Sequence, residues 1–125
     1  MKFNQALNLY EFVKHRDKTE VPLKVQYKLL KIEKWLEEET NYYHECMNNI
    51  IANYGQQNDD GTYKFSDDKQ FILIQEGKEK ECNNEIAQLN NMEIDCPSVG
   101  FTLEELEPMD LTFDELKLLY DLINE

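Results

Sequence analysis

Residues 53–68 read NYGQQNDDGTYKFSDD, a stretch dense in oxygen ligands around one glycine. The chemistry it could support is calcium binding. A helix–loop–helix calcium site takes ligands from loop positions 1, 3, 5 and 12, with glycine at position 6 and a bidentate glutamate at 12. Placing Gly61 at position 6 puts Gln56 at 1, Asn58 at 3, Asp60 at 5 and Asp67 at 12. Positions 3, 5 and 6 fit. Position 1 lacks charge, and aspartate at 12 is too short for the bidentate grip. The competing reading is a turn: Asp-Gly tolerates the positive φ of tight reversals, and TYKF beyond it has strand character. The turn is the better reading.

The other reactive types are sparse. His44 and Cys46 diverge by about 200° on a helix, so they do not converge on one metal. Cys82 and Cys96 complete no zinc spacing, and the cysteines read as structural. His15 and His44 are the only histidines. No nucleophile sits beside either, and no glycine-rich phosphate loop, G-x-S-x-G or H-E-x-x-H is present. A non-enzymatic protein is expected, with no cofactor and no metal.

Charge is the stronger signal. The 125 residues carry a formal net charge of -13. Residues 1–35 hold eight Lys/Arg against four Asp/Glu, and residues 36–125 hold five against twenty-two. This surface repels duplex nucleic acid. Lys24, Lys28, Lys31 and Lys34 form a basic row, with Arg16 and Lys18 nearby. It reads as a solvated helix face, with pairing to acids elsewhere in the chain or in a partner left open. Residues 101–125 hold eight carboxylates and one lysine. Glu104, Glu105, Glu107, Asp110 and Asp114 are the expected partner-binding residues, suited to a basic protein.

The elements that must position these groups are mainly helical. Phe3, Leu7, Tyr10 and Val13 mark one face of a helix over 1–15. Pro22 suits the first turn of a second helix. That helix is predicted over 22–54: Leu29, Leu36, Tyr43 and Ile50 recur every seven residues, with Val25, Ile32 and Cys46 at the offset positions. At 1.5 Å per residue it spans roughly 48 Å. Its heptad seam calls for a helical neighbour, within the chain or in a second copy. Gly55 stops it, and 55–66 is the turn of a helical hairpin. Ser66, before Asp67 and Asp68, is the expected cap of a third helix over 67–90. Met92, Ile94 and Cys96 alternate with Glu93 and Asp95, predicting a strand-like element over 92–101. Two capping boxes, Thr102/Glu105 and Thr112/Glu115, open an acidic helical segment over 102–125.

The size suits one domain, with about 65–70% of the unfolded surface buried. The odd cysteine count and the polar N-terminal stretch argue against a secreted scaffold and a signal peptide. The longest strictly apolar run, FILI, is too short to span a bilayer.

EVPLKVQYKLLKIEKWLEEE, IIANYGQQNDDGTYKF and EIAQLNNMEIDCPSVGFTLEELEPMDLTFDELKLLYDLI together resemble a family of small siphovirus and prophage proteins of unassigned function from phages of Gram-positive bacteria. That pattern has a Pro-Lys lead into a long helix, KYG before an acidic-Gly turn, an acidic strand after an EL helix, and a short C-terminal helix. Asn53 stands where lysine is common, and QLNNMEID is less acidic than the pattern. The resemblance implies a phage product in the bacterial host cytoplasm and carries no site residues. The expected function is a non-catalytic accessory protein that binds a host or phage protein, as an inhibitor of a basic defence protein. A virion or assembly component, oligomeric through the long helix, and a small enzyme of unknown reaction are the alternatives.

Overall fold

The computed structural model describes residues 1–17 and 20–124. Lys18, part of the basic row, lies outside them. The fold is mainly helical, as the periodicity predicts: α1 (Phe3–His15), α2 (Leu23–Tyr54), α3 (Glu79–Asn90), α4 (Leu103–Leu106) and α5 (Phe113–Leu119), with 3-10 turns at Glu107–Met109 and Tyr120–Leu122. Two compact units divide the chain: Met1–Asn41 with Glu93–Glu125, and Tyr42–Met92. α2 runs through both.

The first unit is organised around α2. Val25, Leu29, Ile32 and Leu36 are buried in one cluster with Ala6, Leu9 and Val13 of α1 and with Phe101, Leu106, Met109, Leu119 and Leu122. The first half of the heptad seam is therefore covered by its own chain, not by a second copy. Pro22 opens the helix, its carbonyl accepting from the Val25 and Gln26 N–H groups. α1 buries Phe3, Ala6, Leu9 and Val13, while Leu7 and Tyr10 are half-buried. The buried stripe thus lies about one residue off the predicted one, because small Ala6 takes the inner position that size-weighted periodicity assigns to its larger neighbour.

Both capping boxes form. The Thr102 and Thr112 hydroxyls accept from the Glu105 and Glu115 N–H groups, and each glutamate accepts in return from the threonine N–H at 3.0 Å. Pro108 sits in the 3-10 turn after α4, and Asp110 ends it in the left-handed region at φ 50.

The strand-like element predicted over 92–101 does not extend into a continuous strand. Its ends make isolated bridges only, Lys2 with Glu93 and Phe101 with Ile123. Met92 and Cys96, predicted inward, are exposed, and only Ile94 of the three is half-buried. Alternation needs a continuous neighbouring strand to become a sheet, and here the extended neighbours are short, Lys2 just before α1 and Ile123 just after the last 3-10 turn.

The second unit corrects the third helix. α3 starts at Glu79, not residue 67. Residues 55–75 instead form a closed knot of three short extended segments. Gln56 N–H donates to Leu73 C=O (2.7 Å), Lys64 N–H to Gln56 C=O (2.9 Å) and Leu73 N–H to Lys64 C=O (2.9 Å), closing a ring. TYKF and FILI carry the aromatic and β-branched residues that fit extended backbone. Ser66 is no helix cap: its hydroxyl donates to Asp68, Lys69 turns left-handed at φ 60, and Phe65 bridges to Ile72 across the reversal. Gly55 and the Asp60-Gly61 reversal stand as read, with Gly61 at φ +88. Beyond the knot, α3 returns antiparallel along the second half of α2. Cys82 and Leu89 are buried, and the Tyr43 hydroxyl donates to Asn90 Oδ1 at 2.5 Å. The helical hairpin exists, with a β knot rather than a simple turn at its tip.

Candidate functional site

The calcium-like stretch is internally satisfied. Asp60 Oδ1 accepts from both the Thr62 hydroxyl (2.6 Å) and the Thr62 N–H (3.0 Å), which hold its carboxyl below the ordinary value. Asp68 is held down likewise by the Ser66 hydroxyl and the Gln70 N–H. These are turn-forming bonds that orient the carboxylates toward the backbone. Among the described residues, no three His, Cys, Asp or Glu side chains group as a metal site. Cys82 is buried, and burial pushes its thiol up; Cys46 is half-buried and Cys96 exposed. His15 bonds Glu11 at 3.1 Å, and His44 stands edge-on to Tyr43.

Charge pairing within the first unit re-sorts the predicted acidic residues. Lys28 of α2 reaches Glu105 at 2.8 Å and the Gly100 carbonyl at 2.9 Å. Glu105 is therefore not a free partner-binding carboxylate: it closes a capping box and holds an ion pair, with its side chain only 17% exposed. Arg16 makes the second cross-link, to Glu115 at 3.1 Å and to the Met109 carbonyl. Periodicity along one helix could not reveal these pairs. The opposite charge excesses of residues 1–35 and 101–125 were the available signal. Within the rest of the basic row, Lys31 lies over the Tyr27 ring at 4.6 Å and Lys34 lies 3.8 Å from Glu37.

The other four predicted acids are exposed. Glu104 lies in the first turn of α4, Glu107 and Asp110 flank Pro108, and Asp114 lies in the first turn of α5, 3.9 Å from Lys117. Asp121, which the motif reading passed over, is exposed as well. The surface of this segment is thus a set of carboxylates left over after the two glutamates with internal cations are set aside.

The Lys28 ammonium, first, and the Thr102 N–H hold Glu105 down to about 2, from an ordinary 4.5. A depressed carboxylate adds stability that is present above its unfolded value and lost as pH falls toward its folded value. Glu115 is lowered by its Thr112 bonds and by Arg16. Glu105→Gln should therefore melt below the wild type at pH 7, with the gap closing as pH falls from 4.5 toward 2. Thermal melts across that range check this; a gap independent of pH would remove the assigned role of the pair.

Comparison with known proteins finds no matching family, no matching curated protein and no matching solved structure. No helix among the described residues is long and apolar enough to cross a membrane.

Proposed function

We propose that this chain is a non-catalytic accessory protein that binds a basic partner protein through the acidic face of its C-terminal segment. The observation that carries this reading is the division of labour among the carboxylates. Glu105 and Glu115 are held by Lys28 and Arg16, while Glu104, Glu107, Asp110 and Asp114 remain exposed, with Lys117 beside Asp114. Clustered like charge raises the local field and speeds encounter with an oppositely charged surface. The carboxylates sit on short capped helices, and capping fixes their backbone positions. The sequence resemblance supports a phage origin and action in the bacterial cytoplasm, where a basic defence effector is a partner of the right charge.

The test is a pull-down from infected-host lysate at low and high salt, with the wild type beside a variant carrying Glu104→Gln, Glu107→Gln, Asp110→Gln and Asp114→Gln. The expected result is a partner captured at low salt, released at high salt, and bound at least about tenfold more weakly by the variant, about 1.4 kcal/mol. Capture indifferent to these four charges, or recovery only with assembled particles, would overturn the reading in favour of a structural role.

A further inference from the structure

The N-terminal half of α2 has a second apolar stripe, opposite its buried seam. Leu23, Tyr27 and Leu30 fall at i, i+4 and i+7, the spacing of a helix that docks in a groove. They are 81%, 58% and 47% exposed. Lys24 and Lys31 border the stripe on one side, and Lys34 continues it. Gln26 and Glu33 lie along its other side, so the face is amphipathic with one basic border.

The same unit carries a groove of opposite character between α4 and α5. Leu103, Leu116, Tyr120 and Ile123 line a cavity of about 450 Å³. Leu103 and Leu116 also line an adjoining cavity of about 350 Å³, in which Glu107 and Asp110 supply the polar wall. Tyr120 is 75% exposed at the rim. An apolar trough with carboxylates at one end suits an amphipathic helix bearing lysines, and the outer face of α2 has that chemistry.

We infer that two copies of this chain associate, with the Leu23-Tyr27-Leu30 stripe of one copy seated in the α4–α5 groove of the other. The lysines beside the stripe then meet Glu107 and Asp110. The Lys28–Glu105 pair places α4 beside this part of α2, so both surfaces belong to one unit and two copies exchange them reciprocally. A two-fold pair of that kind closes on itself and does not grow into fibres. Each copy carries -13 overall, but repulsion between distant charges is screened beyond about 8 Å at physiological salt. The apolar contact and the local lysine–carboxylate match act inside that distance. The inference does not rest on the basic-partner reading and competes with it for Glu107 and Asp110, whereas Glu104 and Asp114 line neither cavity and stay open to a partner in the paired form.

The test is light scattering of the purified chain at physiological salt and tens of micromolar, with Tyr27→Asp and Tyr120→Asp as variants. Both positions are exposed, and circular dichroism melts confirm that each variant folds. The wild type should show twice the 14.9 kDa chain mass, and each variant alone the single-chain mass. An equimolar mixture should recover part of the paired mass, because a mixed pair has one intact stripe–groove contact where a pair of either variant alone has none. A monomeric wild type overturns the inference. So does a Tyr120→Asp variant that stays paired, since the stripe would then be meeting another stripe.

Discussion

Phe101→Ala is expected to destabilise the protein by about 3–5 kcal/mol, the usual cost of deleting a buried aromatic ring. Phe101 is fully buried in the cluster that joins α1, α2 and the C-terminal helices. Its backbone also matters: its N–H donates to the Leu122 carbonyl and its carbonyl accepts from the Asn124 N–H, both at 2.7 Å. The alanine variant keeps those backbone bonds, so the loss measures ring packing. The Lys28 ammonium lies 5.8 Å from the ring centroid, so the variant also loses a cation–π contact that links the ring to the Lys28–Glu105 pair. A small domain has a total stability of roughly 5–15 kcal/mol, so the change is a large share of it. Urea unfolding is the measurement. A midpoint shift equivalent to less than about 1 kcal/mol would mean that the ring is not packed as described.

The second large effect falls in the other unit. Gly55 lies where α2 ends and the β knot begins, and it bridges to Ile74. A Cβ there would meet the Ile51 carbonyl oxygen at 2.9 Å, with Tyr63 Cδ1 at 2.8 Å and Ile72 Cγ2 at 3.0 Å. The two side chains could move. The carbonyl belongs to the last turn of α2 and accepts from Gly55 N–H itself at 2.7 Å, so it cannot retreat without opening that bond. Gly55→Ala should cost about 1–3 kcal/mol, the range for overpacking a filled site. Gly61→Ala is the contrasting variant. A Cβ on Gly61 meets nothing within 4 Å, but its φ of +88 is unfavourable for alanine, a backbone cost of about 1–2 kcal/mol. Hydrogen exchange separates the two. Gly55→Ala should lose protection at the Gln56, Lys64 and Leu73 amides that close the knot, whereas Gly61→Ala should leave them protected. Full protection in Gly55→Ala would show that the site has room.

What the order of residues settled follows one physical rule. Features whose energetics lie within a few residues were legible. The long helix over 23–54 rests on uninterrupted helix-compatible residues with a repeating apolar seam. The boxes at Thr102 and Thr112 rest on bonds spanning three positions; the stop at Gly55 was legible from residue type, although the helix ends there because the Gln56 N–H turns to the Leu73 carbonyl. The third helix failed because its first half trades local helix signals against extended segments that hydrogen-bond to residues up to twenty-one positions away, as Gln75 does to Tyr54. The strand-like element over 92–101 stays at isolated bridges for the converse reason, since the pattern was present and its extended partners, at Lys2 and Ile123, are too short to continue the pairing.

The acidic surface shows the same boundary. Sequence alone determined that the C-terminal segment is acidic, helical and capped, and that the basic excess lies at the other end of the chain. Only the tertiary structure decided which carboxylates stay free. Lys28 and Glu105 are 77 positions apart and Arg16 and Glu115 are 99 apart, so their pairing depends on how α1, α2 and the C-terminal helices pack around Phe101. It also decided that the first half of the α2 seam is covered by the chain itself. The heptad spacing marked the Val25–Leu29–Ile32–Leu36 face as the packing seam, but what covers a seam is set by what the rest of the chain lays against the helix. The Val25–Leu29–Ile32–Leu36 seam receives α1 and the C-terminal helices, while Leu23, Tyr27 and Leu30 remain exposed.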